Sequence, residues 1–194
     1  MKNRELPTPG QRISVVGTSG SGKTTVGRAI ADRLGIPFIE LDALAWLPGW
    51  TNRPLAELRE LVDEQTRGPT WVVDGNYSKV RDLVWDRADT VVWLDYPFWR
   101  VFGQLLRRTL RRSLRREELW SGNRESLRMS FFSRDSILLW AIRTYGRRKR
   151  QYPELLARPE HGHLKLIRLR SPAETRRWLG GLACPGTRQS SHRG

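Results

Sequence analysis

A glycine-rich stretch lies near the start of the chain, between an apolar run and a helical pattern. Residues 12–17 read RISVVG, a β-branched run typical of a strand buried on both faces of a parallel sheet. Residues 17–24 read GTSGSGKT and match the spacing G-x-x-x-x-G-K-[ST]. Apolar residues then recur every four positions over 26–34, which predicts a helix. This order of strand, glycine-rich loop and helix constrains the chain to an α/β fold.

The residue types in the loop predict how it binds a nucleoside triphosphate. Glycines let consecutive backbone N–H groups point at phosphate oxygens, and the following helix adds the positive end of its dipole. We expect Lys23 to neutralise the β- and γ-phosphates and Thr24 to offer its hydroxyl to Mg²⁺. ATP and Mg²⁺ are therefore the expected cofactors. The predicted nucleotide-binding residues of the loop are Gly17, Thr18, Ser19, Gly20, Ser21, Gly22, Lys23, Thr24 and Thr25.

Further apolar runs alternate with helical patterns along the chain. They predict strands over 37–42, 70–75, 90–95 and 164–170. Strands that alternate with helices predict a parallel sheet with helices on both faces, that is, a three-layer α/β fold. We expect residues 1–183 to form one domain and the polar residues 184–194 to form a tail.

Acidic residues follow three of the predicted strands. Asp42, Asp74 and Asp95 come at the carboxyl ends of their strands, and in parallel sheets ligands gather at that edge. Asp74 is predicted to hold magnesium, whereas Asp42 is predicted to orient a substrate hydroxyl, accept its proton or join the metal shell. Asp95, in the turn-like DYP, fits a strand exit better than a functional role. Capping of the next helix or turn is the alternative for each acid.

Residues 43–67, between the second and third strands, are predicted to form a flap over the phosphoryl acceptor. Trp46 and Trp50 either wall a planar or hydrophobic group of the acceptor or cover the core. The predicted acceptor-binding residues are Asp42, Arg59, Asn76, Tyr77 and Arg81. These residue types do not select between nucleotide and sugar-like acceptors.

A basic segment over residues 100–150 carries 15 Arg or Lys against four acids, which is +11 of the chain's net charge of +15. Such an excess favours contact with the phosphates of a nucleotide or of a nucleic acid, and a merely basic surface is the alternative. Within this segment, leucines four residues apart predict a packing stripe at Leu106, Leu110 and Leu114. Arginines occupy the two adjacent stripes.

Together these residues resemble the small P-loop kinases of the adenylate kinase and shikimate kinase type. VDGNY (73–77) resembles the turn after the third strand of adenylate kinases, and WLDYP (93–97) resembles the fourth strand that leads into their lid. The segments LDALAWLPGW, WVVDGNYSKVRDLVW, RADTVVWLDYP and ELWSGNRES resemble, more narrowly, the adenylate-kinase-related family often labelled DNA topology modulation proteins.

The wider resemblance implies a five-stranded sheet in the order 2-3-1-4-5, Mg²⁺-ATP and an arginine-rich lid over residues 100–150. It implies that Arg108 stabilises charge on the transferring phosphoryl group, with Arg112 and Arg124 as secondary candidates. Gln104 stands where the adenylate kinase pattern has an earlier arginine.

The sequence predicts ATP-dependent phosphoryl transfer to a nucleoside monophosphate or a small hydroxy-metabolite. The catalytic residues would be Lys23, Asp42, Asp74 and Arg108, with Thr24 and Asp74 at the metal. The alternatives are a nucleic-acid-binding NTPase that acts through the basic segment and an ATP sensor without an acceptor. A single cysteine excludes an intrachain disulfide, and we expect a cytoplasmic protein without a membrane partner.

Overall fold

The computed structural model describes residues 6–115, 121 and 137–182, with the backbone alone for 112–115 and 137–144. Strands in these residues are β1 (Arg12–Gly17), β2 (Phe38–Glu40), β3 (Trp46–Leu47), β4 (Thr51–Asn52), β5 (Trp71–Asp74), β6 (Thr90–Leu94) and β7 (Lys165–Leu169). The helices are α1 (Lys23–Leu34), α2 (Leu41–Ala45), α3 (Leu55–Gln65), α4 (Arg81–Trp85), α5 (Phe98–Arg115), α6 (Ile137–Leu156) and α7 (Pro172–Gly180). Among the described residues, no helix has the length and apolar character needed to cross a membrane.

Five of the strands form one parallel sheet in the order β2-β5-β1-β6-β7. Because the hairpin β3-β4 stands outside this sheet, the order corresponds to 2-3-1-4-5 when only the main-sheet strands are counted. The predicted three-layer α/β fold is thereby confirmed. β1 lies at the centre, with Val15 opposite Asp74 of β5 and Gly17 opposite Leu94 of β6. This register brings the carboxyl ends of β1, β5 and β6 to one edge.

The alternating side chains of β1 supply both halves of the core. Ile13 and Val15 pack on the face covered by α1 and α7, whereas Val16 packs on the opposite face with Trp85 and Tyr152. A strand whose successive side chains are all buried must be covered on both faces, which is why its sequence shows an apolar run and no alternation.

The flap contains structure that the sequence reading missed. The predicted strand 37–42 ends at Glu40, and α2 follows at once, so that Asp42 lies in the first turn of a helix. Trp46 and Leu47 then pair with residues 51–52 in a small antiparallel hairpin. The side chain of Arg53 donates from Nε to the carbonyl of Leu44 at 2.7 Å and holds the hairpin to α2.

The packing face of α5 differs from the prediction. The leucine stripe beginning at Leu106 was expected to pack, but Leu110 in that stripe is 40% exposed. The buried positions lie one residue earlier, at Val101, Leu105 and Thr109. The physical reason is the phosphate loop: a Cβ added to Gly20 would lie 2.7 Å from Cβ of Leu105, so this face of α5 rests directly on the loop.

Candidate active site

The phosphate loop joins β1 to α1 and exposes its backbone at the carboxyl edge of the sheet. Gly22 has φ +87°, in the left-handed region, and a Cβ added to it would meet no heavy atom within 4 Å. Backbone conformation, and not crowding, therefore requires glycine at this position. The helix begins with the bond from the amide of Val26 to the carbonyl of Gly22 at 3.0 Å. Lys23 Nζ donates back across the loop to the carbonyl of Thr18 at 3.4 Å.

Thr24 and Asp74 meet at the mouth of this loop. The hydroxyl of Thr24 donates to Oδ2 of Asp74 at 2.5 Å, and the second carboxylate oxygen, Oδ1, is buried without a hydrogen-bond partner among the described residues. Burial raises the pKa of Asp74 to about 6, against a smaller lowering by the charge of Lys23 and the Thr24 bond. A carboxylate oxygen and a hydroxyl that share one side of a phosphate loop fit the oxygen ligands that Mg²⁺ prefers.

Charges of both signs surround Lys23. Burial lowers the pKa of Lys23, the carboxylates of Asp74 and Asp42 raise it, and the guanidinium groups of Arg148 and Arg108 lower it. The structure thus brings the other predicted catalytic residues, Asp42, Asp74 and Arg108, within electrostatic range of Lys23. Anions of a bound triphosphate would reduce the repulsion among the three cations.

Asp42 reaches the site from α2, on the flap side. The hydroxyl of Tyr77 donates to Oδ1 of Asp42 at 2.7 Å. Burial and the negative charge of Asp42 raise the pKa of Tyr77, so the phenol stays protonated and keeps donating. This bond orients the Asp42 carboxylate, and Asp42 also acts electrostatically on Lys23 and Asp74.

The other predicted acceptor-binding residues differ in their surroundings. Arg59 forms a two-point ion pair with Asp82, at 3.0 and 2.6 Å, and donates to the carbonyl of Lys79 at 2.7 Å. This interaction joins α3 to α4, and acceptor binding by Arg59 stays a prediction. Arg81 has its guanidinium 5.4 Å from the centre of the Trp85 ring.

A small cavity behind the acceptor side includes Arg81, Asn76, Tyr77 and Tyr152 in its lining. The side-chain amide of Asn76 is already hydrogen-bonded, to the backbone of Gly17 and to the hydroxyl of Tyr152. Acceptor binding by Asn76 stays a prediction.

The predicted structural assignment of Asp95 agrees with its contacts. Arg168 donates to Oδ2 of Asp95 from Nε at 3.0 Å and from Nη2 at 2.6 Å, and Lys149 lies 3.9 Å from Oδ1. Because Asp95 is buried, removing either partner would leave its charge poorly compensated. The group joins β6, β7 and α6.

Comparison with known proteins identifies the family of this chain. Residues 13–95 match the model described as ATPase family associated with various cellular activities (AAA). A shikimate kinase of Thermosynechococcus vestitus is 31% identical over 125 residues, which cover 56% of this chain and 67% of that protein. The chain belongs to the P-loop kinase family.

A second relative and one solved structure are also similar to this chain. A putative adenylate kinase of Thermococcus onnurineus is 37% identical over 73 residues, 34% of this chain and 41% of that protein. The solved structure of a shikimate kinase from Acinetobacter baumannii, in complex with shikimate, has a TM-score of 0.55 at 18% identity, with 88% and 89% of the two chains covered. At that identity the structural likeness supports the fold alone.

Two residues of this P-loop kinase that the sequence did not predict, both on α6, lie at the site. Arg148 and Tyr152 lie four residues apart on α6, and hence on one side of it. Arg148 stands within four consecutive cations, residues 147–150, so the sequence held no signal that distinguishes it from its neighbours. The side chain of Arg112 and all of Arg124 lie outside the described residues.

Proposed function

We propose that this protein transfers the γ-phosphoryl group of ATP to a hydroxyl group of a small acidic metabolite or to the phosphate of a nucleoside monophosphate. The observation that carries the proposal is the position of Asp42. This carboxylate lies on α2, just before the flap, where it accepts a hydrogen bond from Tyr77 and acts electrostatically on Lys23 and Asp74. A hydroxyl between Asp42 and the loop would be adjacent to both a base and the γ-phosphate.

Cations near Asp42 support an anionic acceptor. Arg148 is half-buried, and its pKa is lowered chiefly by burial and by the repulsion of Arg147 and Arg81. A carboxylate or phosphate of the acceptor would relieve this repulsion and pair with a guanidinium in two-point geometry. One relative, the shikimate kinase, is named after a hydroxy acid, which carries both a hydroxyl and a carboxylate group.

The reaction follows from these positions. A hydroxyl oxygen of the acceptor attacks the γ-phosphorus, its proton passes to a carboxylate oxygen of Asp42, and the bond from the γ-phosphorus to the bridging oxygen breaks to release ADP. The attacking phosphate oxygen of a nucleoside monophosphate is already ionised and needs no base. Lys23 and Arg108 stabilise the charge on the transferring group. Thr24 and Asp74 would hold Mg²⁺, which screens the β- and γ-phosphate charges when bound.

The test combines an acceptor panel with one matched pair of variants. Purified protein is incubated with Mg²⁺-ATP and, separately, with shikimate, gluconate, other hydroxy acids and the nucleoside monophosphates, and ADP and phosphorylated product are quantified. Asp42→Asn is expected to lower kcat by about 10²- to 10⁴-fold with an unchanged Kd for ATP. Asp32→Asn, at an exposed position of α1, is the charge-matched control and should retain activity.

Tight ATP binding without product from any acceptor would contradict the proposal. ATP hydrolysis that duplex DNA stimulates, with a steep loss of binding as salt rises, would support the nucleic-acid-dependent NTPase instead. The narrower resemblance to the proteins labelled DNA topology modulation stays a prediction, and the same assay addresses it.

A further inference from the structure

The side chain of Asn76 continues the central sheet beyond the point where the backbone of β5 leaves it. The register of β1 with β5 ends at Val15 and Asp74, and the chain then turns at Gly75, which has φ +148°. The Asn76 amide takes the place of the next peptide group. Its Nδ2 donates to the carbonyl of Gly17, and its Oδ1 accepts from the Gly17 amide at 3.3 Å.

Tyr152 of α6 holds this amide in place. The Tyr152 hydroxyl donates to Oδ1 of Asn76 at 2.7 Å, so that oxygen accepts two hydrogen bonds. The backbone of Gly17 fixes which way round the amide lies, because a reversed amide would place its NH₂ group against the Gly17 N–H and its oxygen against the Gly17 carbonyl. The Tyr152 ring is 3% exposed and packs at 5.6 Å from the Trp93 ring, so the core fixes the position of the hydroxyl.

The same helix, α6, also brings positive charge close to the phosphate loop. Arg148, one turn before Tyr152, acts electrostatically on Lys23. Lys149 reaches Asp95 at the carboxyl end of β6. A shift of α6 would therefore move two things at once: the charge of Arg148 near the phosphate loop, and the Tyr152 hydroxyl that holds Asn76 against Gly17.

We propose that Asn76 is a positioning residue for the phosphate loop and that Tyr152, by holding Asn76 in place, couples the position of α6 to nucleotide affinity. The proposal rests on ATP as the nucleotide of the proposed function. Gly17 is the first glycine of the loop, and its peptide orientation sets the direction of the N–H groups that follow it. Asn76 acts through Gly17 and not by contact with ATP.

Affinity for Mg²⁺-ATP, measured by titration calorimetry without an acceptor, tests this inference independently of phosphoryl transfer. Tyr152→Phe removes one hydroxyl and keeps the ring, and it should raise the Kd about three- to ten-fold. Asn76→Ala should raise it by at least as much. Because the two side chains act in series, adding Tyr152→Phe to Asn76→Ala should cause less than a two-fold further change.

A matched control comes from the same helix. The Tyr145 hydroxyl donates to the backbone carbonyl of Tyr96 at 2.9 Å, so Tyr145→Phe removes a comparable bond that does not reach the loop. Its Kd for ATP should equal that of the parent protein. Circular dichroism and thermal unfolding establish that each variant is folded.

Three results would overturn the inference. The first is an unchanged Kd in Tyr152→Phe, and the second is an Asn76→Asp variant with parental affinity, because aspartate cannot donate to the Gly17 carbonyl. The third is a change confined to the acceptor KM once an acceptor is known, which would place Asn76 in direct contact with acceptor. If no acceptor is found but the Kd changes as expected, the proposed function fails and the positioning role stands.

Discussion

Replacing Asp74 with asparagine is expected to make the ligand-free protein more stable relative to the parent as pH rises, while it removes a predicted metal ligand. The pKa of Asp74 lies at about 6, against 3.8 for an ordinary aspartate, and burial is the main cause. At about 1.36 kcal/mol per pH unit, this gap destabilises the folded protein with ionised Asp74 by about 3 kcal/mol.

The pH dependence has a definite direction. Between pH 3.8 and about 6 the folded state binds more protons at Asp74 than the unfolded state, so this group lowers the free energy of unfolding as pH rises through that window. Asparagine does not titrate. The difference in unfolding free energy, variant minus parent, should therefore increase by about 2–3 kcal/mol from pH 4 to pH 8. Any constant cost of burying the new amide cancels in this comparison.

Urea unfolding of both proteins at several pH values, with EDTA and without nucleotide, measures this difference. Asp63→Asn is the control, because hydrogen bonds from Arg67 and Arg87 lower the pKa of Asp63 from the ordinary 3.8. The parent carboxylate at that position gains its ion-pair stability below about pH 4, so the difference for this variant should stay nearly flat from pH 4 to pH 8. A difference for Asp74→Asn that is as flat as that of Asp63→Asn, or that falls over this range, would refute the proposed desolvation of Asp74.

Three other substitutions test the rest of the site. Lys23→Met should lower turnover by at least about 100-fold and weaken ATP binding, and intact turnover would remove the basis for the phosphate-loop assignment. Gly20→Ala should lower the free energy of unfolding by about 1–3 kcal/mol, since its Cβ would lie 2.7 Å from that of Leu105 at φ +85°; an unchanged melting curve would contradict that contact. Arg59→Ala should leave the acceptor KM within about two-fold, because the Asp82 pair is at the surface; a large rise in KM would support the predicted acceptor role of Arg59.

The main sheet and the phosphate loop were predictable because their signals are local. A buried parallel strand needs side chains of one character along its whole length, and the runs that end at Gly17 and Asp74 satisfy this requirement. The end of β5 also predicted the position of Asp74. A carboxylate at the end of a fully buried apolar run lies at the edge of the sheet, where it can reach ligands or solvent.

What the sequence could not decide depended on contacts between distant residues. Leu105 and Leu106 are adjacent and equally apolar, and only the close approach of α5 to Gly20 selects Leu105 for burial. Likewise Arg59 and Arg148 are arginines in helical patterns. Arg59 pairs with Asp82, 23 residues further on, a contact that no local pattern predicts. The return of α6 to the sheet brings Arg148 close to Lys23.

The hairpin β3-β4 pairs only with itself and contributes no strand to the main sheet. Its anchor to α2, the Arg53 bond to the Leu44 carbonyl, lies within residues 41–53. This stretch, which carries Asp42, Trp46 and Trp50, can therefore be replaced as one unit. Transplanting the corresponding stretch from a relative with another substrate should redirect acceptor choice while the nucleotide half of the molecule keeps its architecture.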